Sequence, residues 1–187
     1  AETARLQSSV NGGVKIEILK VDDITKMSDE EIDYNFAMAK ALGARAISTE
    51  IPRTDQDAPA EIARVAGEIK RLGSFADKHR LMVGYHGHLH SSAADFETAF
   101  ALAKYNEANL DIGHYVAGGN GSPGEFMKKH HDRITHIHVK DRKWDPATKN
   151  GPNVPFGEGD TPIKEVLRLI RDNKWNIQAT IEFEYKV

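Results

Sequence analysis

Residues 108–139 read ANLDIGHYVAGGNGSPGEFMKKHHDRITHIHV and contain one complete strand–helix–strand unit. The apolar segments 108–112 and 134–139 predict two strands. Between them, Ser122 and Pro123 predict the start of a helix, because serine is a favoured N-cap and proline fits the first helical turn. Strands that are joined by a crossover helix run parallel in a sheet. The segment therefore predicts an α/β fold built on a parallel sheet.

The same alternation continues through the rest of the chain. Further strands are predicted at residues 14–19, 45–49, 81–85 and 177–183. Further helices are predicted after a Ser28–Glu31 capping box, from Pro59, over residues 95–104, and from Pro162 with an apolar stripe of Ile163, Val166, Leu167 and Ile170. Six strands separated by helices fit either a doubly wound sheet or a TIM (β/α)8 barrel.

The length of the chain and the lack of a dinucleotide-binding motif favour the TIM barrel. No G-x-G-x-x-G turn follows the first strand, which disfavours a dinucleotide-binding sheet. A TIM barrel has about 250 residues, or roughly 31 for each strand–helix unit. The 187 residues therefore match a barrel that lacks two units. We predict one TIM-barrel domain over residues 1–187, with barrel strands 3–8 only, and expect roughly 60 to 100 more residues before Ala1 in the native gene product.

Polar residues lie where the predicted strands end, which is the end of a TIM barrel that carries the active site. They are Glu50, His86, His88, Asp111, His114, His136, His138, Lys140, Glu182 and Glu184. Imidazole nitrogens and carboxylate oxygens bind hard or borderline divalent ions. One such residue at a strand end is commonly structural, but buried charges at several strand ends are costly without a partner. The set therefore predicts a metal site.

Composition excludes several other classes of protein. The absence of cysteine excludes disulfides, thiolate metal sites and a cysteine nucleophile. The net charge of −3 disfavours nonspecific binding to nucleic acid or to anionic membranes. We therefore expect neither nucleic acid nor a membrane as a partner. The sequence leaves open the compartment, cytoplasm or periplasm, and the formation of a homo-oligomer.

Six stretches resemble the xylose isomerase-like TIM barrels, a superfamily of sugar phosphate isomerases and epimerases that also includes endonuclease IV. They are ALGARAIS, VGYHGH, NLDIGHYVAGG, ITHIHVKDR, FGEGDTPIKEVL and ATIEFEY, and they run in family order from Ala41 to Tyr185. The resemblance implies one divalent ion, manganese, magnesium, cobalt or zinc, at the barrel mouth. It also implies a small carbohydrate substrate.

The resemblance assigns the ligands by motif. Asp111, His138 and Glu182 match the family's metal ligands, and His86 stands where the family usually has a glutamate. Five other strand-end residues are then expected to bind the substrate: Glu50, His88, His114, His136 and Lys140. Lys140 or Arg142 could hold a carboxylate or phosphate, and the loop 144–159 could form part of the sugar pocket.

The histidine at position 86 changes the expected mechanism. Family epimerases can use two glutamates as a proton-transfer pair, and here only Glu182 remains. We expect Glu182 or His86 to abstract a proton next to the carbonyl of a sugar or keto sugar, as in a metal-dependent isomerase or epimerase. Alternatives are a lyase or hydrolase acting on a 3-keto-glycoside and a non-catalytic sugar-binding barrel. An endonuclease IV-like activity is disfavoured because the residues after His138, VKDRKW, lack the Asp-x-His needed for three zinc ions.

Overall fold

The computed structural model describes residues 12–13, 15–52, 59–89 and 91–185. Its strands are β1 (Ile18–Lys20), β2 (Ala46–Glu50), β3 (Met82–His86), β4 (Asn106–Asp111), β5 (Ile134–Val139), β6 (Asp141–Arg142), β7 (Asn153–Val154) and β8 (Gln178–Ile181). Its α-helices are α1 (Asp29–Ala41), α2 (Pro59–His79), α3 (Ala93–Leu102), α4 (Ile112–Ala117), α5 (Pro123–His130) and α6 (Ile163–Asn173). Within these described ranges, no helix has the length and apolar character required to span a membrane.

The chain divides into two compact units, Ala1–Gly84 with Ala99–Asn106 and Tyr85–Thr98 with Glu107–Val187. In the first unit, β1 and β2 pair in parallel, with Ile18 opposite Ala46. Helix α1 begins at the predicted capping box, in which Ser28 Oγ accepts from the backbone of Glu31 and the Glu31 carboxylate accepts from the backbone of Ser28. These two bonds satisfy backbone donors that a helix start otherwise leaves open.

The second unit holds the strands that matter for function. Strand β5 lies between β4 and β8 and pairs with both in parallel. Asp111 is opposite His138 in this register, so the two side chains end on neighbouring strands at the same level. Helix α5 begins as predicted, with the Ser122 side chain accepting from the backbone of Glu125 and Pro123 in the first turn.

Helix α6 corrects one prediction from the sequence. Val166 is fully buried, whereas Leu167 of the same predicted stripe is 42% exposed. The residues of β8 are also exposed, Ile181 to 65%, since β8 lies at the end of the strand order in the described part of the chain. Helical spacing predicts which residues share a face, but burial of that face requires another element against it.

Candidate metal centre

Three ligand-type side chains from three strands converge in the second unit. His86 ends β3, Asp111 ends β4, and His138 lies opposite Asp111 in β5. His86 Nε2 is 3.6 Å from Asp111 Oδ2, and the rings of His86 and His138 have centroids 4.6 Å apart. One donor atom from each of the three residues lies within 4.8 Å of the other two. The structure thus brings together three of the four ligands predicted from the sequence.

The two oxygens of Asp111 have separate roles. Oδ1 accepts a hydrogen bond of 2.8 Å from the backbone N–H of His114 and so caps the N-terminus of α4. Oδ2 is buried and lies 3.1 Å from the ammonium of Lys140 and 3.6 Å from His86 Nε2. Burial opposes ionisation of Asp111, but His86 and the positive charge of Lys140 hold its pKa well below the ordinary value. A buried, ionised oxygen that requires positive charge beside it fits a cation-binding position.

Lys140 supplies one positive charge to this position. Its side chain is 2% exposed, and Nζ lies 3.1 Å from Asp111 Oδ2, 3.1 Å from Glu182 Oε2 and 2.7 Å from Glu184 Oε2. Burial lowers the pKa of Lys140, but the carboxylates outweigh it and leave the pKa above the ordinary value. The ammonium is therefore an internal counter-ion for three acidic side chains.

Glu182 contacts the Nδ1 atom of the His138 ring. Glu182 Oε2 lies 2.7 Å from His138 Nδ1, so a neutral ring that donates from Nδ1 presents Nε2 as its lone-pair atom. Carboxylates commonly orient metal-binding histidines in this way. The bond to His138 lowers the pKa of Glu182 to about 2, against the effect of burial. Glu182 thus stands beside the three-residue cluster, and its role as a fourth ligand stays a prediction.

Four of the five predicted substrate-binding residues lie in the second unit. The His88 ring has its centroid 4.8 Å from the rings of both His86 and His114. Burial lowers the pKa of His114 to about 4 despite the carboxylate of Asp111. His136 is buried and contacts Thr135 Oγ1 through Nδ1 at 2.8 Å. These three, with Lys140, lie in the same unit as the cluster.

Glu50 is placed differently. It ends β2 in the first unit, where its carboxylate lies 3.2 Å from Lys20 Nζ. The predicted contact between Glu50 and a substrate stays a prediction.

Asn109 was not recognised from the sequence, and Arg142 was named there only as a residue that could hold a carboxylate or phosphate. Asn109 Nδ2 lies 3.4 Å from His138 Nε2, and Arg142 Nη1 lies 2.6 Å from His114 Nδ1. Asn109 carried a usable signal, because it precedes Asp111 by two residues on the same strand face. The contacts of Arg142 with His114, Asn150 and Gly151 could not be predicted, because these residues are distant from it in the sequence.

The segment 144–159, predicted as a loop over the site, is held at its base by the buried side chain of Asp141. Asp141 Oδ2 accepts from the backbone N–H groups of Gly157 at 2.8 Å and Gly159 at 2.9 Å. A short antiparallel pair, β6 with β7, places Asp141 opposite Val154. The start of this segment is therefore a folded hairpin.

The chain is similar to one protein family and to several curated proteins. The family description "Xylose isomerase-like TIM barrel" matches residues 22–186. The inosose dehydratase of Clostridium tetani (strain Massachusetts / E88) is 26% identical over 138 residues, which are 64% of this chain and 46% of that protein. The chain thus spans just under half the length of the curated relatives it matches.

Solved structures show the fold. The probable 3-DHS dehydratase AsbF from Bacillus anthracis has a TM-score of 0.76 at 17% identity, over 97% of this chain and 75% of that one. A xylose isomerase-like TIM barrel protein from Mycobacterium smegmatis, in complex with magnesium, has a TM-score of 0.71 at 15% identity, over 96% and 70%. The α/β TIM-barrel fold with six of its strands, predicted from the sequence, is confirmed. The chain belongs to the xylose isomerase-like TIM barrel family.

Proposed function

We propose that this chain carries the metal-binding and proton-transfer residues of an enzyme that acts on a sugar or another polyhydroxylated ketone. The observation that carries the proposal is the convergence of His86, Asp111 and His138, with Glu182 beside His138. The reaction begins with abstraction of a proton next to the carbonyl. The likeness to inosose dehydratase supports loss of water as the next step, so we favour a lyase. The isomerase or epimerase activity predicted from the sequence shares the first step and stays a prediction.

The charges of the centre suit a divalent cation. Asp111, Glu182 and Glu184 carry three negative charges, whereas Lys140 and Arg142 carry two positive ones. Two imidazole nitrogens and one carboxylate oxygen are a donor set suited to zinc, manganese or cobalt, and magnesium prefers more oxygen. When bound, such an ion acts as a Lewis acid that polarises a carbonyl and acidifies the neighbouring C–H group.

Glu182 is our candidate for the proton acceptor. Its carboxylate stays ionised at neutral pH because its pKa is about 2. Its side chain is 27% exposed, so a substrate can reach it from solvent. His86 was the other candidate, but an imidazole that binds a metal ion through its lone pair cannot also accept a proton there. We therefore assign His86 to metal binding and Glu182 to proton transfer.

Metal content tests the first half of the proposal. Purified protein should hold about one divalent ion per chain, as measured by elemental analysis. His138→Ala should lose it, and His131→Ala should keep it, since the His131 side chain is 41% exposed and contacts Trp175 instead. No bound ion after addition of manganese or zinc contradicts the proposal. About three zinc ions would favour the endonuclease IV-like alternative.

Turnover tests the second half. Metal-loaded protein is incubated with a panel of keto sugars and cyclic polyhydroxylated ketones, and products are analysed by mass spectrometry. A product lighter by one water supports the lyase, and Glu182→Gln should lower its rate by about 10²- to 10⁴-fold. A product of unchanged mass would favour an isomerase or epimerase. Tight binding of a sugar without any product would favour the non-catalytic barrel.

A further inference from the structure

Glu184 is an acidic residue of the candidate centre to which neither metal binding nor proton transfer assigns a role. It follows the last residue of β8 by three positions, and its side chain is 43% exposed. Its Oε2 lies 2.7 Å from Lys140 Nζ, and Glu182 Oε2 lies 3.1 Å from the same ammonium. Glu184 and the candidate proton acceptor therefore share one counter-ion and stand side by side.

Two donors hold only one of the two carboxylate oxygens of Glu184. Besides Lys140, the side-chain amide of Asn153 in β7 donates from Nδ2 to Glu184 Oε2 at 3.3 Å. Among the residues that the structure describes, none donates to Oε1. An ionised carboxylate has acceptor sites on both oxygens. The protein thus orients Glu184 through Oε2 and leaves Oε1 as an acceptor for a bound molecule.

The two cations of the centre are both engaged by protein atoms. Lys140 is 2% exposed, and three carboxylates surround its ammonium. Arg142 is buried, and its Nε donates to the carbonyl of Gly151 at 3.0 Å. Its two Nη atoms contact His114 Nδ1 at 2.6 Å and Asn150 Oδ1 at 2.8 Å. Neither side chain is therefore open to the paired hydrogen bonds by which cations bind phosphate or carboxylate groups.

We propose that Glu184 selects the substrate by charge: its Oε1 accepts a hydrogen bond from a substrate hydroxyl near the C–H group that Glu182 attacks, and its negative charge repels anionic groups. This role of Glu184 rests on the proposed function and narrows the substrate to uncharged polyhydroxylated ketones. A hydroxyl can donate to the carboxylate. A phosphate ester at the same place would bring two negative charges together, and such like-charge contacts exclude wrong ligands.

Matched neutral and phosphorylated ketoses test this selection. D-fructose, D-ribulose and the terminal phosphate ester of each are titrated by calorimetry into the zinc-loaded protein and its Glu184→Gln variant. In the variant the amide oxygen must face the two donors, Lys140 and Asn153, so the amide NH₂ takes the open position and an acceptor becomes a donor. The ratio of the dissociation constants, ester over neutral ketose, should therefore fall by about tenfold, the size of one solvent-screened charge contact. Bound zinc attracts the esters in both proteins, so the change in this ratio isolates Glu184.

A second variant controls for the loss of one negative charge. Glu125→Gln also removes a carboxylate that pairs with a lysine, Lys128 at 2.6 Å, but it does so on α5. Its ratio should match the wild type. A ratio that is unchanged in Glu184→Gln, or that changes equally in Glu125→Gln, overturns the selection by Glu184. If Glu184→Gln does not fold, Glu184→Asp replaces it: weaker binding of the neutral ketoses supports the hydrogen bond to Oε1, and unchanged binding contradicts it.

Turnover decides the proposed function separately from the role of Glu184. Products from the panel of ketones, together with an unchanged binding ratio in Glu184→Gln, leave the proposed function standing and overturn the selection by charge. Failure of all four ketoses to bind the wild type overturns the selection as well, even if the panel gives a product. If no ketone is turned over and none binds, both the proposed function and the role of Glu184 fail.

Discussion

Replacement of Lys140 by methionine tests how the candidate centre balances its charges. The Lys140 side chain is 2% exposed, and its ammonium lies 3.1 Å from a buried oxygen of Asp111. Methionine has a similar length and no charge. The Lys140→Met variant therefore leaves a buried carboxylate without its nearest cation. We expect a strong loss of stability without metal and a partial recovery when a divalent ion is added.

The distance between Lys140 and Asp111 and the burial of both side chains give the size of the expected loss in stability. Two unit charges 3.1 Å apart attract by about 5 kcal/mol at an effective dielectric constant near 20. The side chains of Glu182 and Glu184 are 27% and 43% exposed, so water screens their attraction to Lys140. Removal of one partner of a buried ion pair costs about 3 to 5 kcal/mol. We expect a loss of that size in the free energy of unfolding, mainly through Asp111.

A divalent ion beside Asp111 would replace the missing charge. An ion present at about 100 times its Kd adds about 2.7 kcal/mol to the free energy of unfolding. In the wild type the ammonium competes for the same oxygen. The gain in stability from a given metal concentration should therefore be larger in Lys140→Met than in the wild type.

Urea unfolding, followed by circular dichroism, measures both effects. It is carried out in a chelator and in excess manganese or zinc. Lys128→Met is the matched control, since Lys128 also pairs with a carboxylate, Glu125 at 2.6 Å, but is 48% exposed. That exposed pair should contribute far less to stability, because water screens it. A loss below about 1 kcal/mol for Lys140→Met in chelator, or an equal gain from metal in both proteins, refutes the proposed charge balance.

Low pH tests the ionised Glu182 of the centre, and a methyl group added at Gly113 tests its packing. The pKa of Glu182 is lowered from 4.5 to about 2 and water screens the half-buried carboxylate, so its contribution of roughly 1 to 2 kcal/mol is complete above pH 4.5 and is lost as the pH falls toward 2. The pH dependence of unfolding of the wild type and Glu182→Gln checks this, and a difference that stays constant below pH 4.5 contradicts it. A Cβ at Gly113 would lie 2.5 Å from Lys140 Cγ, so Gly113→Ala should lose about 1 to 3 kcal/mol in thermal unfolding. Gly67→Ala, in α2 where a Cβ has no neighbour within 4 Å, should instead gain about 0.5 to 1 kcal/mol, and equal stabilities would contradict the crowding at Gly113.

Local chemistry explains which parts of the fold were predictable. The capping box at Ser28 and the N-cap at Ser122 were predicted correctly because each depends on residues only three positions apart. The convergence of His86, Asp111 and His138 was predictable too, because the carboxyl ends of parallel strands meet at one edge of a sheet. The stripe on α6 was predicted wrongly at Leu167, since sequence spacing carries no information on what covers a face.

The roles within the centre were harder to predict because they depend on side-chain geometry between distant residues. Glu182 follows β8, and only the strand register brings its carboxylate to Nδ1 of His138 rather than to the ligand side. Arg142 acquires its position from backbone carbonyls and side chains in the hairpin segment. A motif such as HIHVKDR shows that such residues are present, but the direction of each side chain is decided by packing.

The position of Lys140 sets a condition on metal binding that the ligand set alone would not reveal. Its ammonium and a metal ion both favour Oδ2 of Asp111, and two cations cannot share that oxygen without strong repulsion. An arriving ion must therefore displace the ammonium, which still has Glu182 and Glu184 as partners on its other side. The cost of this displacement lowers metal affinity in the wild type. Calorimetric titration with zinc should accordingly give tighter binding to Lys140→Met, and weaker or equal binding would show that the ammonium and the ion do not compete.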